Sequence, residues 1–192
     1  VKLEQLAGTD KHQNILAEVE LPSYSNLEDI FRIANRKGEP PLLAILDGIQ
    51  DPHNLGAILR SANAAGLHGV IIPKDKAVGL TSVVIKSSAG AAAWIPIVQM
   101  TNLSRTLDEL KERGVWITGT TDDADTLFSE SDLKGPTAIV LGSEGKGMRR
   151  LVREKCDFLV RIPMFGKVSS LNVSVAAGIL FFEARRQREK LN

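Results

Sequence analysis

Short apolar runs that alternate with helical segments are the feature that most limits what this chain can fold into. The run LLAIL at 42–46 is apolar at every position, and TAIVLG at 137–142 is nearly so. Strands that are covered on both faces have this composition, whereas strands with one wet face alternate polar and apolar residues. Helical patterns lie between such runs, including the amphipathic LSRTLDELKERG at 103–114. The sequence therefore predicts an α/β fold, with a mostly parallel sheet and helices on both faces.

The same patterns predict the remaining elements of one folded unit over residues 41–192. Turn residues and changes of period place strands at 69–73, 94–98, 115–120 and 158–163, and helices at 55–66, within 80–92, at 148–155 and at 172–188. Residues 1–40 mix charged and polar types, and the prolines of GEPP at 38–41 disfavour continued helix. We expect residues 1–40 to be a linker or docking segment with one short helix near NLEDIFRIANRKG.

Composition excludes several classes of protein. The chain has 192 residues, 43% hydrophobic and 24% charged, and no apolar run approaches the roughly 18 residues that cross a bilayer. We expect a soluble, cytoplasmic protein without a membrane partner. A single cysteine, Cys156, and three scattered histidines predict no disulfide framework and no metal site, so Cys156 is interpreted as a packing residue. The net charge of +1 means that any RNA site must be local.

A glycine-rich stretch, LGSEGKGM at 141–148, follows one of the buried strands. Its spacing, G-x-x-G-x-G, is neither the dinucleotide fingerprint nor the phosphate loop, and Glu144 inside it would repel a phosphate. Two interpretations remain open. The stretch is a plain tight turn, or its backbone approaches a ligand that is not a polyphosphate at the carboxyl end of the sheet.

Two other stretches carry polar residues at the start of a helix. DPHNLGAILRSANAAG places Asn54 at a strand-to-helix turn and Arg60 among small apolar residues, where an arginine needs an anion or other acceptors unless it lies at the surface. VSSLNVSVAAGILFFEARRQR begins with polar side chains and continues as a helix with one buried face, for which Ser170 or Asn172 is a suitable N-cap. Capping alone explains that polar start. A parallel sheet nevertheless brings strand ends and helix starts together, so the three stretches predict one site.

The stretches DPHNLGAILRSANAAG, IVLGSEGKGM and IPMFGKVSSLNVSVAAGILFFEARRQR, in that order, resemble the three motifs of the SpoU (TrmH-like) RNA ribose 2'-O-methyltransferases of the SPOUT superfamily. The resemblance covers about residues 41–188. It implies a carboxyl-terminal trefoil knot, an exception to the general absence of knots. It also implies S-adenosylmethionine as methyl donor, and a homodimer with the site at its interface.

The stretch LAGTDKHQNILAEV near the start is similar to the segment that joins an amino-terminal RNA-binding domain to the catalytic domain in one subgroup. That subgroup methylates a guanosine of large-subunit (23S) ribosomal RNA. Residues 1–40 would then be a remnant of the RNA-binding domain and its linker, and residues 41–192 the catalytic domain. A transfer RNA methyltransferase and a non-catalytic RNA-binding or ribosome-assembly protein of the same fold are the alternatives.

The resemblance assigns residues to three roles. The catalytic side chains it implies are Asn54, Arg60, Glu144, Ser170 and Asn172. The cofactor-binding residues it implies are Leu141, Gly142, Ile162, Met164 and Leu171. A guanidinium is a poor base, so accepting the proton is only one of three roles open to Arg60, beside stabilising the developing alkoxide and binding a phosphate. Arginines near the site are candidates for RNA phosphate contacts, with a solvated helix face as the alternative: Arg149, Arg150 and Arg153, and also Arg185, Arg186 and Arg188 on the last helix.

Overall fold

The structure, a computed structural model, describes residues 2–8 and 20–189. Most of the LAGTDKHQNILAEV stretch lies outside the described residues, so its similarity to a domain linker stays a prediction. The described elements, in chain order, are α1 Lys2–Ala7, α2 Leu27–Lys37, β1 Leu42–Asp47, α3 Pro52–Ala64, β2 Gly69–Pro73, α4 Ser82–Ser87, a 3₁₀ turn Ala91–Ala93, β3 Ile97–Met100, α5 Leu103–Glu112, β4 Trp116–Thr120, β5 Thr126–Leu127, β6 Thr137–Gly142, α6 Arg150–Arg153, β7 Phe158–Arg161 and α7 Val173–Arg188.

The seven strands form one sheet in the order β3-β2-β1-β6-β4-β7-β5. Every pairing between neighbouring strands is parallel. β1 is buried along its whole length and pairs with β6 from Leu42 opposite Thr137 to Asp47 opposite Gly142. The chain leaves β1 toward β2 and β3 on one side, crosses to the other side with β4 and β5, and places β6 directly beside β1 only afterwards. Such a reversal between neighbouring strands opens a crevice at their carboxyl ends, where ligands bind in open α/β sheets.

Helices cover both faces of the sheet, as the continuous apolar runs predict. Alternate residues of β1 point to opposite faces. Leu42 and Leu46 pack in the core cluster that includes α3 and α7. Leu43 and Ile45 pack in the cluster that includes residues of α2 and α5. The prediction of a doubly covered, mostly parallel α/β sheet is therefore confirmed.

Helix α2 confirms the short helix predicted within residues 1–40. Asn26 and Asp29 form a reciprocal capping box at its start, and Gly38 ends it in the left-handed conformation. Its Ile30 side chain is fully buried in the core beneath the sheet. The docking interpretation of this segment thus has a physical basis, because α2 fills part of the core of the folded unit.

The helix predicted at 148–155 is shortened to Arg150–Arg153, and two other predicted elements differ more from the structure. The helix expected within 80–92 is divided into α4 and a 3₁₀ turn, because Ala89 and Gly90 have positive φ angles of 50° and 85° and interrupt the helical path. The strand expected at 94–98 instead runs from Ile97 to Met100. Pro96 precedes it, lacks an N–H donor, and accepts a hydrogen bond from Val70 through its carbonyl.

Two arginines of α7 that were candidates for phosphate contacts hold the helix to the rest of the fold. Arg185 donates to the carbonyl oxygens of Ala65 and Gly66. Arg188 donates to the carbonyls of Pro40, Pro41, Leu133 and Gly135. Three segments between elements supply these acceptors, so both side chains are engaged within the chain. Arg186 is exposed and pairs with Glu183, which fits the solvated-face interpretation.

Candidate active site

The glycine-rich loop after β6 folds back on itself at the carboxyl end of the sheet. Ser143 and Gly147 exchange backbone hydrogen bonds of 3.0 and 2.9 Å. A Cβ on Gly142 would lie 2.2 Å from the carbonyl carbon of Gly147, so only glycine permits this approach. The loop is thus a tight turn, and its residues also line two cavities. The stretch LGSEGKGM is therefore a tight turn, as one interpretation predicts, and it also borders space for a ligand, as the other predicts.

A second constraint on the loop is an ion pair from its far end to the end of β1. Asp47 is almost completely buried, and its carboxylate accepts hydrogen bonds from the backbone N–H of Arg149 at 2.7 Å and from Arg149 Nε at 2.5 Å. The ion pair connects the carboxyl end of β1 to the end of the loop that follows β6, the strand beside β1. It therefore fixes the position of the loop that carries Glu144.

Side chains from all three sequence stretches form one hydrogen-bonded cluster. Asn54 Nδ2 donates to Glu144 Oε1 at 2.9 Å. Asn172 Nδ2 lies 2.9 Å from both Asn54 Oδ1 and Glu144 Oε1 and donates to them. Asn54 is 90 residues from Glu144 and 118 from Asn172, and the latter two are 28 residues apart, so the fold brings the three side chains together. This cluster contains three of the five side chains that the resemblance assigns to catalysis.

Local folding fixes two members of the cluster. Asp51 caps α3, and Pro52 begins it, so that Asn54 lies in the first helical turn with its side chain buried. Asn172 is the N-cap of α7, and its Oδ1 accepts from the backbone N–H of Ser174 at 2.9 Å. Of the two predicted caps, Asn172 is therefore the one used, and Ser170 is not. The amide of Asn172 thus caps α7 with its oxygen and donates hydrogen bonds to Asn54 and Glu144 with its nitrogen.

Arg60 does not join this cluster. Six residues separate it from Asn54 on α3, which turns the two side chains about 120° apart around the helix axis. Arg60 is exposed, and it makes no hydrogen bond or ion pair with any residue of the described ranges. Its catalytic role stays a prediction.

The larger cavity lies between the glycine-rich loop and the segment before α7, and has a volume of about 680 Å³. Cavities of about 300–1,000 Å³ are usual for small organic ligands. Ser170 borders this cavity as well, with its side chain exposed. All five residues predicted to bind the cofactor line it, namely Leu141, Gly142, Ile162, Met164 and Leu171.

A smaller cavity of about 560 Å³ also borders the loop. Its wall includes Asp47, Asn54 and Lys76, and it shares several residues of the loop, Glu144 among them, with the larger cavity. The sequence did not single out Asp47 or Lys76. The position of Asp47 directly after an apolar strand was the one signal that could have identified it.

Each of the three arginines between the glycine-rich loop and β7 that are predicted to contact RNA has a carboxylate partner within the chain. Arg149 pairs with buried Asp47. Arg150 lies 2.7 Å from Glu154, and Arg153 lies 2.9 Å from Asp123. Both of these pairs are largely exposed, so their net contribution to stability is small and RNA could displace them at little cost. The RNA-binding role of the three arginines stays a prediction.

Cys156 matches its interpretation as a packing residue. Burial raises the pKa of its thiol to about 12, so the thiolate is scarce at neutral pH. Within residues 2–8 and 20–189, no group of three or more His, Cys, Asp or Glu side chains could hold a metal ion. None of the helices in the same part of the chain is long and apolar enough to cross a membrane.

The structure is that of a doubly covered α/β protein with cavities of the size of small organic ligands at the carboxyl ends of its central parallel strands. The profile of the SpoU rRNA methylase family matches residues 41–182. The chain belongs to this family, as the three sequence motifs predicted.

Individual relatives extend the comparison over nearly the whole chain. The sequence is 54% identical over 188 residues to the 23S rRNA (guanosine-2'-O-)-methyltransferase RlmB of Ralstonia nicotianae, covering 97% of this chain and 74% of that protein. Identity to the RlmB of Shewanella oneidensis is 55% over 186 residues, covering 97% and 75%. The chain therefore spans about three quarters of the length of these curated relatives.

A solved structure supports the same fold. The SpoU methyltransferase AviRb of Streptomyces viridochromogenes, crystallised in complex with the cofactor AdoMet, superimposes with a TM-score of 0.77 at 32% identity. The match covers 86% of this chain and 66% of AviRb, so this chain spans slightly less than two thirds of that protein. The trefoil knot and the homodimer stay predictions.

Proposed function

We propose that this protein transfers a methyl group from S-adenosylmethionine to the ribose 2'-hydroxyl of a guanosine in 23S ribosomal RNA. The observation that carries the proposal is the Asn54–Glu144–Asn172 cluster, which borders a cavity lined by every residue predicted to bind the cofactor. Membership of the SpoU rRNA methylase family and the 23S rRNA guanosine-2'-O-methyltransferase activity of the RlmB relatives support the same reaction.

The larger cavity fits the proposed methyl donor. Leu141, Ile162 and Leu171 supply apolar surface for an adenine ring, and the rim carries the carboxylates of Asp122 and Asp123 that suit an amino group. AviRb, with the same fold, was crystallised with this cofactor. When bound, S-adenosylmethionine supplies an electrophilic methyl on a sulfonium, which needs neither a metal nor a covalent enzyme intermediate.

The residues of the chain would orient the ribose and relieve its hydroxyl of a proton. Glu144 Oε1 already accepts hydrogen bonds from both asparagine amides, which supports a positioning role for Glu144 in preference to proton transfer. Asn54 and Asn172 would then orient the ribose, and Ser170 would donate a hydrogen bond near the reacting group. Arg60 would accept the proton or stabilise the developing alkoxide.

We propose further that the protein acts as a homodimer with its site at the interface. Helix α7 exposes the apolar side chains of Val175 and Phe182, which are seven residues apart and share a helix face with Gly178. An exposed apolar face with a small residue at its centre suits close packing against a second copy. A second copy is also a source for Arg60, which is exposed and lies outside both cavities.

The proposed organisation of the chain follows from the same relatives. We propose that residues 1–40 belong to the linker and remnant of an amino-terminal RNA-binding domain, with α2 docked on the catalytic domain, and that residues 41–192 form the catalytic domain. Ribosomal RNA as substrate supports a location in the cytoplasm.

The test is methyl transfer with tritiated S-adenosylmethionine to transcribed 23S rRNA and, separately, to transfer RNA. Incorporation into 23S rRNA at a guanosine ribose is expected. Methylation of transfer RNA alone would contradict the proposed substrate, and RNA binding without turnover would favour the assembly-protein alternative. Mapping the methylated position in ribosomal RNA from cells with and without the gene identifies the nucleotide.

Arg60→Ala tests the role of the guanidinium. We expect loss of methyl transfer with the affinity for S-adenosylhomocysteine nearly unchanged, because Arg60 lies outside the cofactor cavity. Arg105→Ala is the matched control, since Arg105 is also an exposed helical arginine and borders neither cavity. Full activity of Arg60→Ala would refute the assigned role.

A further inference from the structure

The segment before α2 docks on the free edge of the sheet. Strand β3 is the last strand on its side, and Ser25 forms a parallel bridge with Val98 of this strand. The backbone N–H of Ser25 donates to the carbonyl of Ile97 at 2.9 Å. The next residue, Asn26, caps α2. Residues 22–25 therefore enter the fold along the edge of β3, beside the loop of residues 74–81 that joins β2 to α4.

Tyr24 reaches this β2–α4 loop with its hydroxyl. Tyr24 Oη accepts a hydrogen bond from the backbone N–H of Leu80 at 3.0 Å. A Cβ on Gly79 would lie 2.7 Å from the same oxygen, so the hydroxyl occupies space that any larger residue at position 79 would need. Tyr24 is 39% exposed and contributes little to the core. Its specific contribution is to hold one backbone amide of the loop.

The β2–α4 loop is bonded in turn to the segment that leads into α3. The backbone N–H of Val78 donates to the carbonyl of Ile49 at 2.9 Å, and Ile49 is buried. Ile49 lies between the end of β1 and Asp51, the residue that caps α3. Because Asn54 lies in the first turn of α3, a shift of the β2–α4 loop would move the backbone that positions Asn54.

A second connection runs through α4. The residue after Leu80 is Thr81, which caps α4 with its side chain. At the other end of α4, Ser87 Oγ lies 3.3 Å from the carbonyl oxygen of Pro52, the first residue of α3. A Cβ on Gly56 would lie 1.9 Å from the same Oγ, so α4 and α3 are in direct contact there. Both connections thus end in the first turns of α3.

We propose that Tyr24 is a positioning residue for methyl transfer, and that it acts by holding the β2–α4 loop and, through it, the turn of α3 that carries Asn54. This inference rests on the proposed methyl transfer to RNA. The connected segments, residues 22–25, 48–56 and 74–87, all lie in the described part of the chain, and none of them lines the larger cavity. Tyr24 therefore affects the rate of transfer and leaves binding of the methyl donor unchanged.

Two variants of the full chain remove the same hydrogen bond from opposite sides. Tyr24→Phe deletes the hydroxyl, and Gly79→Ala puts a methyl group in its place and displaces it from Leu80. With protein and S-adenosylmethionine in excess over transcribed 23S rRNA, each variant should lower the single-turnover rate of methyl transfer about fivefold, the value for one neutral hydrogen bond. The double variant should also be about fivefold slower, because both changes remove one shared interaction.

Gly135→Ala is the matched control, because a Cβ on Gly135 meets no atom within 4 Å. Its transfer rate should equal that of the parent protein. The Tm of Tyr24→Phe and of Gly79→Ala should stay within about 4 °C of the parent's, and the Kd for S-adenosylhomocysteine should not change. Amide hydrogen exchange should be faster at residues 78–81 in both variants and unchanged in β6.

The outcomes separate this inference from the proposed function. If the parent protein methylates 23S rRNA and Tyr24→Phe does so at the same rate, Tyr24 has no positioning role and the proposed function stands. If the double variant is about 25-fold slower, the two changes act independently and the inference is overturned. A loss of S-adenosylhomocysteine affinity, or a Tm below the assay temperature, would show a general effect on folding and overturn it equally. If the parent methylates no RNA, the proposed function and the inference both fail.

Discussion

Replacing Arg188 by methionine tests whether the last helix is anchored by its arginine or whether that arginine binds RNA. Arg188 donates to four backbone carbonyls, two at the start of β1 and two before β6. Burial lowers the pKa of its guanidinium to about 10, so the group remains charged at neutral pH. Methionine keeps much of the side chain's apolar length but supplies no donor.

The magnitude follows from the acceptors that are left behind. A hydrogen bond to a charged group contributes about 1.5–3 kcal/mol, and a stranded buried carbonyl costs about 1–3 kcal/mol. Because the site is only partly buried, water can reach some of these carbonyls. The loss in free energy of unfolding is therefore well below the value for four fully buried hydrogen bonds. We expect Arg188→Met to lower the free energy of unfolding by about 3 kcal/mol, which lowers Tm by about 6–12 °C.

The assay is thermal unfolding followed by circular dichroism at pH 7.5, with RNA affinity measured in parallel. Arg186→Met is the matched control, since Arg186 lies on the same helix, is exposed and pairs only with Glu183. Its Tm should stay within about 2 °C of the parent's. Equal Tm values for the two variants, together with a loss of RNA affinity in Arg188→Met, would refute the anchoring role.

Three further predictions follow from the buried and close-packed groups. Burial lowers the pKa of His68 to about 4, so the unfolded chain binds the proton first as pH falls. The free energy of unfolding should therefore decrease from about pH 6.5 toward pH 4, by about 2 kcal/mol at pH 5. Urea unfolding of His68→Gln at pH 7.5 and pH 5 should not show this decrease. Gly142→Ala forces the loop away from its backbone contact, and calorimetry should show loss of S-adenosylhomocysteine binding; unchanged affinity would contradict the close approach. Cys156 has its pKa raised to about 12 by burial, and iodoacetamide at pH 8 should alkylate it far more slowly in the folded than in the urea-unfolded protein.

Much of the sheet was predictable because its strands carry strong local signals. β2 and β6 occupy the predicted residues, since continuous apolar runs bounded by turn residues leave few alternatives. β5 was missed because Thr126 and Leu127 alone form it, within a polar stretch that has no periodicity. The order of the strands depends on long-range pairing, which no local pattern contains.

The cluster at the site was predictable in part. The rule that strand ends and helix starts converge in parallel sheets correctly indicated that Asn54, Glu144 and Asn172 would meet. It gave no information on the direction of each side chain. Arg60 lies on the same helix as Asn54 but points elsewhere, and the arginines of α7 bind carbonyls that are remote in sequence. These hydrogen-bond partners are brought close by tertiary packing, so they cannot be predicted from the sequence around each arginine.

The position of β6 beside β1 sets a delay in biosynthesis. β1 ends at Asp47, but the neighbour that covers its second edge ends at Gly142, roughly 90 residues later. At ribosomal rates of about 5–20 residues per second, the nascent chain carries an unpaired apolar strand edge for about 5–20 s. Open edges of this kind promote aggregation. Shielding of the emerging β1 edge, by a chaperone or by the ribosome surface, is therefore most needed during synthesis of the middle half of the chain.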